Sequence, residues 1–355
     1  MELALGQRLR ELHGPLLLTG HTGFKGAWMT FLLEHLGVPL IGYSLPAEKG
    51  SLFDRANRIG AIPEVFEDIR DYQNLENFID EHKPSTIIHM AAQPLVLESY
   101  ENPRETFDVN IMGTVNVLDI AFKKDFVKAI IVVTTDKVYK NDNSRRAFVE
   151  TDPLEGKDPY SASKVGTEAV IAAWQQIARE SGGPSLVSVR AGNVNGGGAF
   201  AKNRIIPNII RGVFTSNPIE IRNPESTRPW QHVLDPCKGY VMTLEMSLTN
   251  FNHANLNFGP NDENLTVREI TQIAKRYFPN LELNFGASHL VQSRESSYLS
   301  LDSSLSLKFL NWTPSFTQEE AVKMSFAWWR KALNDEASIL ELCLEDISNT
   351  IKDKP

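Results

Sequence analysis

The sequence predicts an α/β protein built on a Rossmann-type, doubly wound parallel sheet, with a smaller C-terminal substrate-binding lobe. Short apolar runs alternate with helical patterns through the first half of the chain, which is typical of a parallel sheet. A Gly-x-x-Gly-x-x-Gly motif separates the first apolar run from the first helix. After Arg190 glycine and proline become frequent, and the 355 residues are enough for two lobes.

The predicted elements follow one another in a regular alternation. Strands are predicted at residues 16–19, 39–43, 65–66, 86–90, 129–134 and 186–190. Helices are predicted at residues 26–35, 73–82, 104–122 and 160–177. Short strands at residues 219–222, 256–258 and 281–284 are assigned to the second lobe. We therefore expect a dinucleotide-binding domain at 1–190, a sugar-nucleotide lobe at 191–333 with some segments returning to the first domain, and a helical tail at 334–355.

The glycine motif occupies the turn between the first strand and the first helix. Glycines there permit a tight turn and let the backbone approach a pyrophosphate, which sits on the helix N-terminus. The alternative is a turn with no ligand, but a strand before it and a helix after it favour dinucleotide binding. The second strand ends at Tyr43-Ser44-Leu45 without the acid that usually binds the adenosine ribose. NAD is expected, and its preference over NADP is less secure.

Tyr160 and Lys164 form a Tyr-x-x-x-Lys motif at the start of a predicted helix. Residues four apart share a helix face. An ammonium beside a phenol favours the phenolate and lowers the tyrosine pKa from about 10. Tyr160 is thus a candidate base, although the same pair also occurs by chance on solvated helices.

Composition excludes several functions. The net charge of −8 speaks against a broad nucleic-acid interface. The two cysteines, Cys237 and Cys343, lack the spacing of a metal site, so no metal is expected. The N-terminus lacks a signal-peptide pattern, and no apolar segment approaches the ~20 residues of a membrane span. We expect a cytoplasmic protein without a membrane partner.

Several motifs resemble those of the extended short-chain dehydrogenase/reductases, and among them the CDP-glucose 4,6-dehydratases. The similar segments span about 16–314 and are Gly20 to Gly26, His89 to Val96, Asn110 to Thr114, Thr135 to Lys137, Tyr160 to Lys164, Arg190 to Val194, Gly196 to Gly198 and Arg228 to Val233. Ala199 and Asn203 stand where that family usually has acids. The resemblance therefore implies the reaction class, and a 4,6-dehydratase of another nucleotide sugar remains an alternative.

The resemblance implies that the end of the fifth strand carries the acid–base pair of a dehydratase. Thr135 would bind the sugar 4-oxygen, Asp136 would donate a proton to the departing 6-hydroxyl, and Lys137 would accept the C5 proton. Tyr160 would take the 4-hydroxyl proton with support from Lys164, and the same NAD would serve oxidation at C4 and reduction at C6. The alternative for Asp136 and Lys137 is a surface ion pair.

The resemblance also implies binding residues. The cofactor set is Gly20, Gly23, Phe24, Lys25, Gly26, Asp68, Ile69, Ala91, Ala92, Gln93, Tyr160 and Lys164. The substrate set is Gln93, Asn193, Arg204, Arg222, Arg228 and Tyr298. Asp68 has a competing interpretation as a helix cap, and any one arginine as a solvated surface residue. Trp230 favours core or base stacking, and His232 a structural role.

The implied assembly is a homodimer through a four-helix bundle of helices 104–122 and 160–177, or a higher oligomer. Two rival functions remain open. A nucleotide-sugar epimerase or reductase of the same fold would not need Asp136 and Lys137. A non-catalytic dinucleotide sensor would typically lack the Tyr160 and Lys164 pair, and fold alone excludes neither rival.

Overall fold

A computed structural model describes residues 4–142, 146–201, 204–221, 223–249, 255–286 and 299–351. Its strands are β1 Leu16–Thr19, β2 Leu40–Ser44, β3 Glu64–Phe66, β4 Thr86–His89, β5 Ala129–Val133, β6 Ser185–Ala191, β7 Val194–Asn195, β8 Ile219–Ile221, β9 Thr227–Arg228, β10 Gln231–His232, β11 Asn255–Phe258, β12 Leu265–Thr266 and β13 Leu283–Phe285. Seven of them form one parallel sheet in the order β11-β6-β5-β4-β1-β2-β3. The predicted doubly wound sheet is confirmed.

The order of the strands reverses between β1 and β4. From β1 the chain runs outward through β2 and β3, and then returns to build β4, β5 and β6 on the other side. Thr19 at the end of β1 pairs with His89 at the end of β4. A crevice therefore opens outside the carboxyl ends of these two strands, where open α/β sheets bind ligands.

The strand predicted at 256–258 lies in the main sheet and not in the second lobe. Asn255–Phe258 pairs with β6, and Leu256 stands opposite Val189. Helix α10 (Leu234–Ser247), which precedes β11, packs against β5 and β6. The placement depends on this long-range packing, because a four-residue run between irregular segments carries no local mark of the sheet it joins.

The helices cover both faces of the sheet. In chain order they are α1 Gln7–Arg10, α2 Phe24–His35, α3 Leu52–Arg55, α4 Tyr72–His82, α5 Val96–Glu101, α6 Pro103–Phe107, α7 Gly113–Phe122, α8 Pro159–Ser181, α9 Ile205–Thr215, α10 Leu234–Ser247, α11 Val267–Tyr277, α12 Ser304–Leu310, α13 Gln318–Leu333 and α14 Ile339–Thr350. Alternate strand residues point to opposite faces. Leu16 and Leu18 belong to a buried cluster that includes residues of α2, α10 and α13, whereas Leu17 belongs to a second cluster with residues of α4, α7 and α8. The predicted tail helix is α14, and it packs on α2 and α13.

The long helix predicted at 104–122 is a continuous helical run with an interruption. Helix α6 passes into a π-helical turn at Asp108–Met112, and α7 follows directly. Such turns often occur at functional sites. The other predicted long helix is α8, which begins with a capping box between Asp158 and Ser161.

Smaller elements occupy the segment that the sequence assigns to a second lobe. Strand β8 pairs in parallel with β13, and β9 pairs antiparallel with β12. Helix α11 contacts α9 and α13. The start of α9 and the end of β9 lie near the carboxyl end of β5. The charge of Arg204, the N-cap of α9, acts on Asp136, and a Cβ on Gly192 would lie 3.0 Å from Asp136 Oδ2 and 3.7 Å from Pro229 Cγ.

Candidate active site

The three motif glycines in the turn after β1 are required for different structural reasons. Gly20 has φ of +73°, and a Cβ there would lie 2.7 Å from the amide nitrogen of Ala91. A Cβ on Gly26 would lie 2.0 Å from the carbonyl oxygen of Gly20. A Cβ on Gly23 would meet only that same carbonyl oxygen, at 3.4 Å. Packing therefore requires glycine at 20 and 26, whereas Gly23 keeps open the space in front of the turn.

Helix α2 begins at this open space. Its N-cap is Gly23, and no side chain caps the free amide groups of its first turn. Phe24 and Lys25 form the start of the helix and are half-buried. Uncapped amides together with a space that a side chain would fill fit a dinucleotide pyrophosphate. The residues present are thus compatible with NAD at the predicted place.

The adenosine end of the predicted cofactor site lies after β2 and β3. Thr22 and Ser44 share a hydroxyl–hydroxyl hydrogen bond of 2.7 Å at the end of β2. Asp68 is held by Arg70, whose Nε and Nη2 donate to its carboxylate at 3.0 and 2.6 Å. These hydrogen bonds hold the pKa of Asp68 below its usual value. Ile69, its neighbour, is buried.

The alternative interpretation of Asp68 as a helix cap is wrong. Helix α4 is capped by Asp71, whose side chain accepts a hydrogen bond from the Asn74 amide at 3.0 Å. Asp68 lies three residues earlier, and its carboxylate is engaged by Arg70 instead. The carboxylate therefore stays at the edge of the predicted cofactor site.

Asn110 holds the segment that follows β4, and the sequence assigned it no role of its own. Its Oδ1 accepts from the Gln93 amide at 2.8 Å, and its Nδ2 donates to the Gln93 carbonyl at 3.1 Å and to Ser163 Oγ at 2.8 Å. Asn110 lies in the π-helical turn and is 1% exposed. Through it, residues Ala91 and Ala92 before Gln93 are tied to α8. A buried asparagine inside an apolar helical stripe was the available signal.

The segment 135–137, which we call the β5 turn, follows the carboxyl end of β5. Asp136–Val138 is a single 3₁₀ turn capped by Thr135, whose Oγ1 accepts from the Lys137 amide at 3.3 Å. Asp136 is 2% exposed, and burial raises its pKa despite the opposing charge of Lys137. The alternative of a surface ion pair is therefore wrong for Asp136. Lys137 is half-buried.

Tyr160 and Lys164 lie on the first turns of α8, both buried and facing the β5 turn. Burial raises the pKa of Tyr160 to about 12, and the nearby Thr135 hydroxyl opposes this rise in part. Lys164 Nζ donates to the Val133 carbonyl oxygen at 3.3 Å, and burial lowers its pKa to about 8. The pKa of Tyr160 is raised and not lowered, so the predicted decrease is wrong. Burial is the largest cause of the shift in both side chains, and Lys164 is not among the groups that lower the pKa of Tyr160.

Two further cations reach this end of the site. The positive charges of Lys25 and Arg204 both lower the pKa of Asp136, and that of Arg204 also lowers the pKa of Tyr160. Lys25 Nζ donates to the Tyr240 hydroxyl at 3.3 Å. The glycine motif and the second lobe thus each bring a cation to the β5 turn. These effects were not foreseen from the sequence, because each joins residues that lie far apart in the chain.

The other predicted substrate-binding residues are distributed around the second lobe. Arg204 Nη1 donates to Asn193 Oδ1 at 2.7 Å, which joins two of them. Arg228 is half-buried on β9, and its Nη1 donates to the Thr227 carbonyl oxygen at 2.8 Å. Arg222 and Tyr298 lie outside the described residues.

Trp230 and His232 follow Arg228 in the unusual motif. Trp230 is 9% exposed, and its amide donates to Gln318 Oε1 at 2.8 Å. His232 is fully buried, and burial lowers its pKa to about 3, so its imidazole is neutral. Its edge-on contact with Trp28 fits a structural role.

Within the described ranges, no group of three or more histidine, cysteine or acidic side chains is arranged to hold a metal ion. In the same part of the chain, no helix combines the length and apolar character needed to cross a membrane. Cys237 and Cys343 are buried free thiols.

A doubly wound sheet, a glycine turn at its switch point and a buried Tyr160 and Lys164 beside the β5 turn define a nucleotide-binding enzyme of the short-chain dehydrogenase/reductase type. The model of the GDP-mannose 4,6 dehydratase family matches residues 17–325. The chain belongs to this family.

Similar proteins include dehydratases and epimerases of nucleotide sugars. The chain is 38% identical over 335 residues to the CDP-glucose 4,6-dehydratase of Salmonella typhimurium, covering 91% of this chain and 92% of that one. It is 24% identical to a dTDP-glucose 4,6-dehydratase of Xanthomonas campestris, covering 88% and 92%.

Solved structures show the same fold. The UDP-glucose 4-epimerase of Thermotoga maritima with UDP-glucose aligns with a TM-score of 0.76 at 20% identity, over 90% of this chain and 99% of that one. The dTDP-glucose 4,6-dehydratase of Bacillus anthracis in complex with NAD aligns with a TM-score of 0.74 at 21% identity, over 91% and 98%.

Proposed function

We propose that this protein is an NAD-dependent hydro-lyase that converts CDP-glucose to CDP-4-keto-6-deoxyglucose and water, for deoxysugar biosynthesis of the O-antigen or polysaccharide kind. One observation carries the proposal. The β5 turn holds a buried carboxyl group, Asp136, which accepts a hydrogen bond from Thr135 and lies beside Lys137 and near the buried Tyr160. Oxidation at C4 alone needs only Tyr160 and Lys164. The 38% identical relative named for this reaction supports it.

The residues that would hold NAD surround the crevice between β1 and β4. Gly20, Gly23 and the start of α2 would bind the pyrophosphate, and Asp68 would bind at the adenosine end. When bound, NAD supplies reversible oxidation of the sugar, and its positive charge favours the phenolate form of Tyr160. Lys164 would hold the cofactor ribose.

Tyr160 acts on the 4-hydroxyl proton. Its phenol is buried, and the nearby Thr135 hydroxyl and the Arg204 charge partly offset the effect of burial on its pKa. Thr135 would hold the 4-oxygen in line with this phenol. A positioned base of this kind contributes typically 10²–10⁴-fold to a rate, as an order of magnitude.

Asp136 and Lys137 carry out the opposite proton transfers at C6 and C5. Burial raises the pKa of Asp136, which favours the protonated form that can donate to the leaving 6-hydroxyl. Lys137, next in the chain, would accept the C5 proton that the 4-ketone acidifies. Two adjacent groups in different protonation states suit one elimination.

The nucleotide diphosphate would lie between the sheet and the second lobe. Asn193 and Arg204 are joined by a hydrogen bond, and Arg228 lies half-buried on β9. Guanidinium groups match phosphate oxygens in pairs. Gln93 follows β4 on the sheet side. Arg222 and Tyr298 complete the proposed set by resemblance.

A panel of glucose nucleotides tests the proposal. We expect CDP-glucose to lose water and yield a 4-keto-6-deoxy product, without stoichiometric reduced cofactor. If another nucleotide sugar loses water and CDP-glucose does not, the reaction stands and the substrate is wrong. Formation of a C4 epimer with no water loss would favour the epimerase alternative. The Thermotoga maritima UDP-glucose 4-epimerase has the same fold.

We also propose a cytoplasmic homodimer that pairs α6, α7 and α8 with the same helices of a second copy. Phe107 and Met112 are exposed on the first helical run, and Ile177 is exposed on α8. A shallow depression lies between the first two, lined by Arg104, Phe107, Asp108, Ile111 and Met112. Burying such a surface stabilises a dimer. Sedimentation of Phe107→Glu against the wild type tests it, with a shift to monomer expected.

A further inference from the structure

A buried ion pair lies directly behind the β5 turn. Arg190 on β6 donates from Nε to Glu168 Oε1 at 2.9 Å and from Nη2 to Oε2 at 2.8 Å. The two side chains are 2% and 3% exposed. We propose that Glu168 and Arg190 are positioning residues that fix the β5 turn relative to Tyr160 and Lys164.

The pair holds the residue immediately before the turn. Glu168 Oε1 also accepts from Thr134 Oγ1 at 2.6 Å and from Ser188 Oγ at 2.7 Å. Thr134 is buried, and its amide donates to the Val189 carbonyl oxygen at 2.9 Å. Thr134, the residue before the β5 turn, is thus anchored through both its backbone and its side chain.

The same pair holds the residue that follows the 3₁₀ turn. Arg190 Nη1 donates to the Tyr139 hydroxyl at 2.9 Å and to the Glu150 carbonyl oxygen at 3.1 Å. The Tyr139 hydroxyl in turn donates to Asn257 Oδ1 at 2.7 Å. The guanidinium also lies over the Tyr139 ring, 5.1 Å from its centroid. Tyr139, the residue after the 3₁₀ turn, is therefore also anchored through its side chain.

Glu168 connects these anchors to the helix of the proposed base. It lies four residues after Lys164 on α8, so a rigid helix joins it to Tyr160. Separating Glu168 from Arg190 would leave a buried charge without its partner, which is costly in free energy. The ion pair therefore stays closed. Proton transfer at three neighbouring sugar positions needs groups held to within about 0.5 Å. The pair supplies that constraint from behind the site, without contact to the ligand.

Two variants test the positioning while leaving the ion pair in place. Thr134→Val removes the hydroxyl on the entry side, and Tyr139→Phe removes the hydroxyl on the exit side. Matched controls are Thr243→Val, which loses a bond to Gly239 O within α10, and Tyr72→Phe, which loses a bond to the Asp119 carboxylate. Neither control residue belongs to the site.

Hydrogen exchange of the intact protein is the first measurement and needs no substrate. We expect the amides of Lys137 and Val138 to exchange at least about tenfold faster in both test variants, and at the wild-type rate in both controls. Unchanged exchange in both test variants overturns the proposal.

Single-turnover kinetics is the second measurement, and it rests on the proposed function. In Tyr139→Phe we expect reduced nicotinamide to form within about twofold of the wild-type rate and to decay about tenfold more slowly. We expect the KM measured in steady-state turnover to be unchanged. A merely structural role lowers the fraction of active enzyme and leaves both rate constants intact, and that result would refute positioning. A wild-type chain that does not turn over CDP-glucose contradicts the proposed function, and the exchange measurement then decides the positioning alone.

Discussion

The hydroxyl of Thr135 donates a hydrogen bond of 3.0 Å to Oδ1 of Asp136, its neighbour in the chain. The other carboxyl oxygen, Oδ2, faces Gly192, where a Cβ would lie 3.0 Å away. One oxygen of the Asp136 carboxyl group is therefore hydrogen-bonded, and the other lies close to the backbone at Gly192, inside a buried turn. A carboxyl group so enclosed keeps its proton more readily than one in water, because burial disfavours its charged form.

Substitutions at Asp136 and at Lys137 should block different steps of the reaction. Lys137→Ala should permit oxidation at C4 but stall removal of the C5 proton, because its amine is the proposed acceptor. Asp136→Asn should stall loss of water and leave C5 exchange relatively preserved. Turnover in deuterated water, with label at C5 read by mass spectrometry, separates the two. Equal exchange in both variants would show that Lys137 is not the base.

The buried carboxyl of Asp136 should cost stability at neutral pH. Its folded-state pKa is raised, so its contribution is fully present below the unfolded pKa of about 3.9 and is lost as pH rises through the folded pKa. Asp136→Asn should therefore melt at a higher temperature than the wild type at pH 8, by a margin that shrinks toward pH 4.

Asp152→Asn is the matched control for that experiment. Arg146 binds its carboxylate and holds its pKa below the usual value, so the charged form stabilises the fold. Loss of this carboxylate should lower the melting temperature at pH 8, and the difference should disappear as pH falls. If the two variants change Tm in the same direction at pH 8, the raised pKa of Asp136 is wrong.

Gly23 and Gly26 should respond differently to a side chain. Gly23→Val should fold and lose NAD binding, because its Cβ would meet only the Gly20 carbonyl oxygen, at 3.4 Å, and its methyl groups would fill the space before α2. Gly26→Ala should destabilise the fold itself, because its Cβ would overlap the Gly20 carbonyl oxygen. Thermal unfolding and calorimetric titration distinguish these outcomes. Unaltered NAD affinity in folded Gly23→Val would remove the assigned pyrophosphate site.

The same titration carried out with NADP tests which cofactor the protein prefers. We expect NAD to bind more tightly than NADP. The end of β2, where the adenosine ribose would lie, carries Ser44, and its hydroxyl is hydrogen-bonded to Thr22. Equal affinities would show that this end of the site does not discriminate.

Arg204 should affect both binding and chemistry. Arg204→Ala should raise KM for the nucleotide sugar, because a phosphate contact is lost, and should lower kcat, because its charge lowers the pKa of Tyr160. The pH at which activity rises should move upward. Arg211→Ala is the control, since Arg211 on α9 donates to the Phe200 and Ala201 carbonyl oxygens. An unchanged pH profile would place Arg204 outside the catalytic end.

The sequence by itself determined the sheet, the glycine turn and the location of Tyr160 and Lys164 on one helix. Each of these depends on short-range patterns: apolar runs, glycine spacing and the helical repeat. The family also followed from local motifs. The structure adds that Gly20 and Gly26 are required by backbone contacts, a distinction that spacing alone does not make.

Only the tertiary structure decided the electrostatics and the long-range assignments. Burial, which depends on the whole fold, raised the pKa of Tyr160 where the motif predicted a decrease. Strand β11 joined the main sheet through its pairing with β6, and Asn110 acquired its role from a π-helical turn. Arg70, and not a helix end, engaged Asp68. The shift of the Tyr160 pKa and the pairing of β11 depend on residues distant in the chain, and the roles of Asn110 and Asp68 depend on the local backbone geometry. The sequence pattern alone does not specify either.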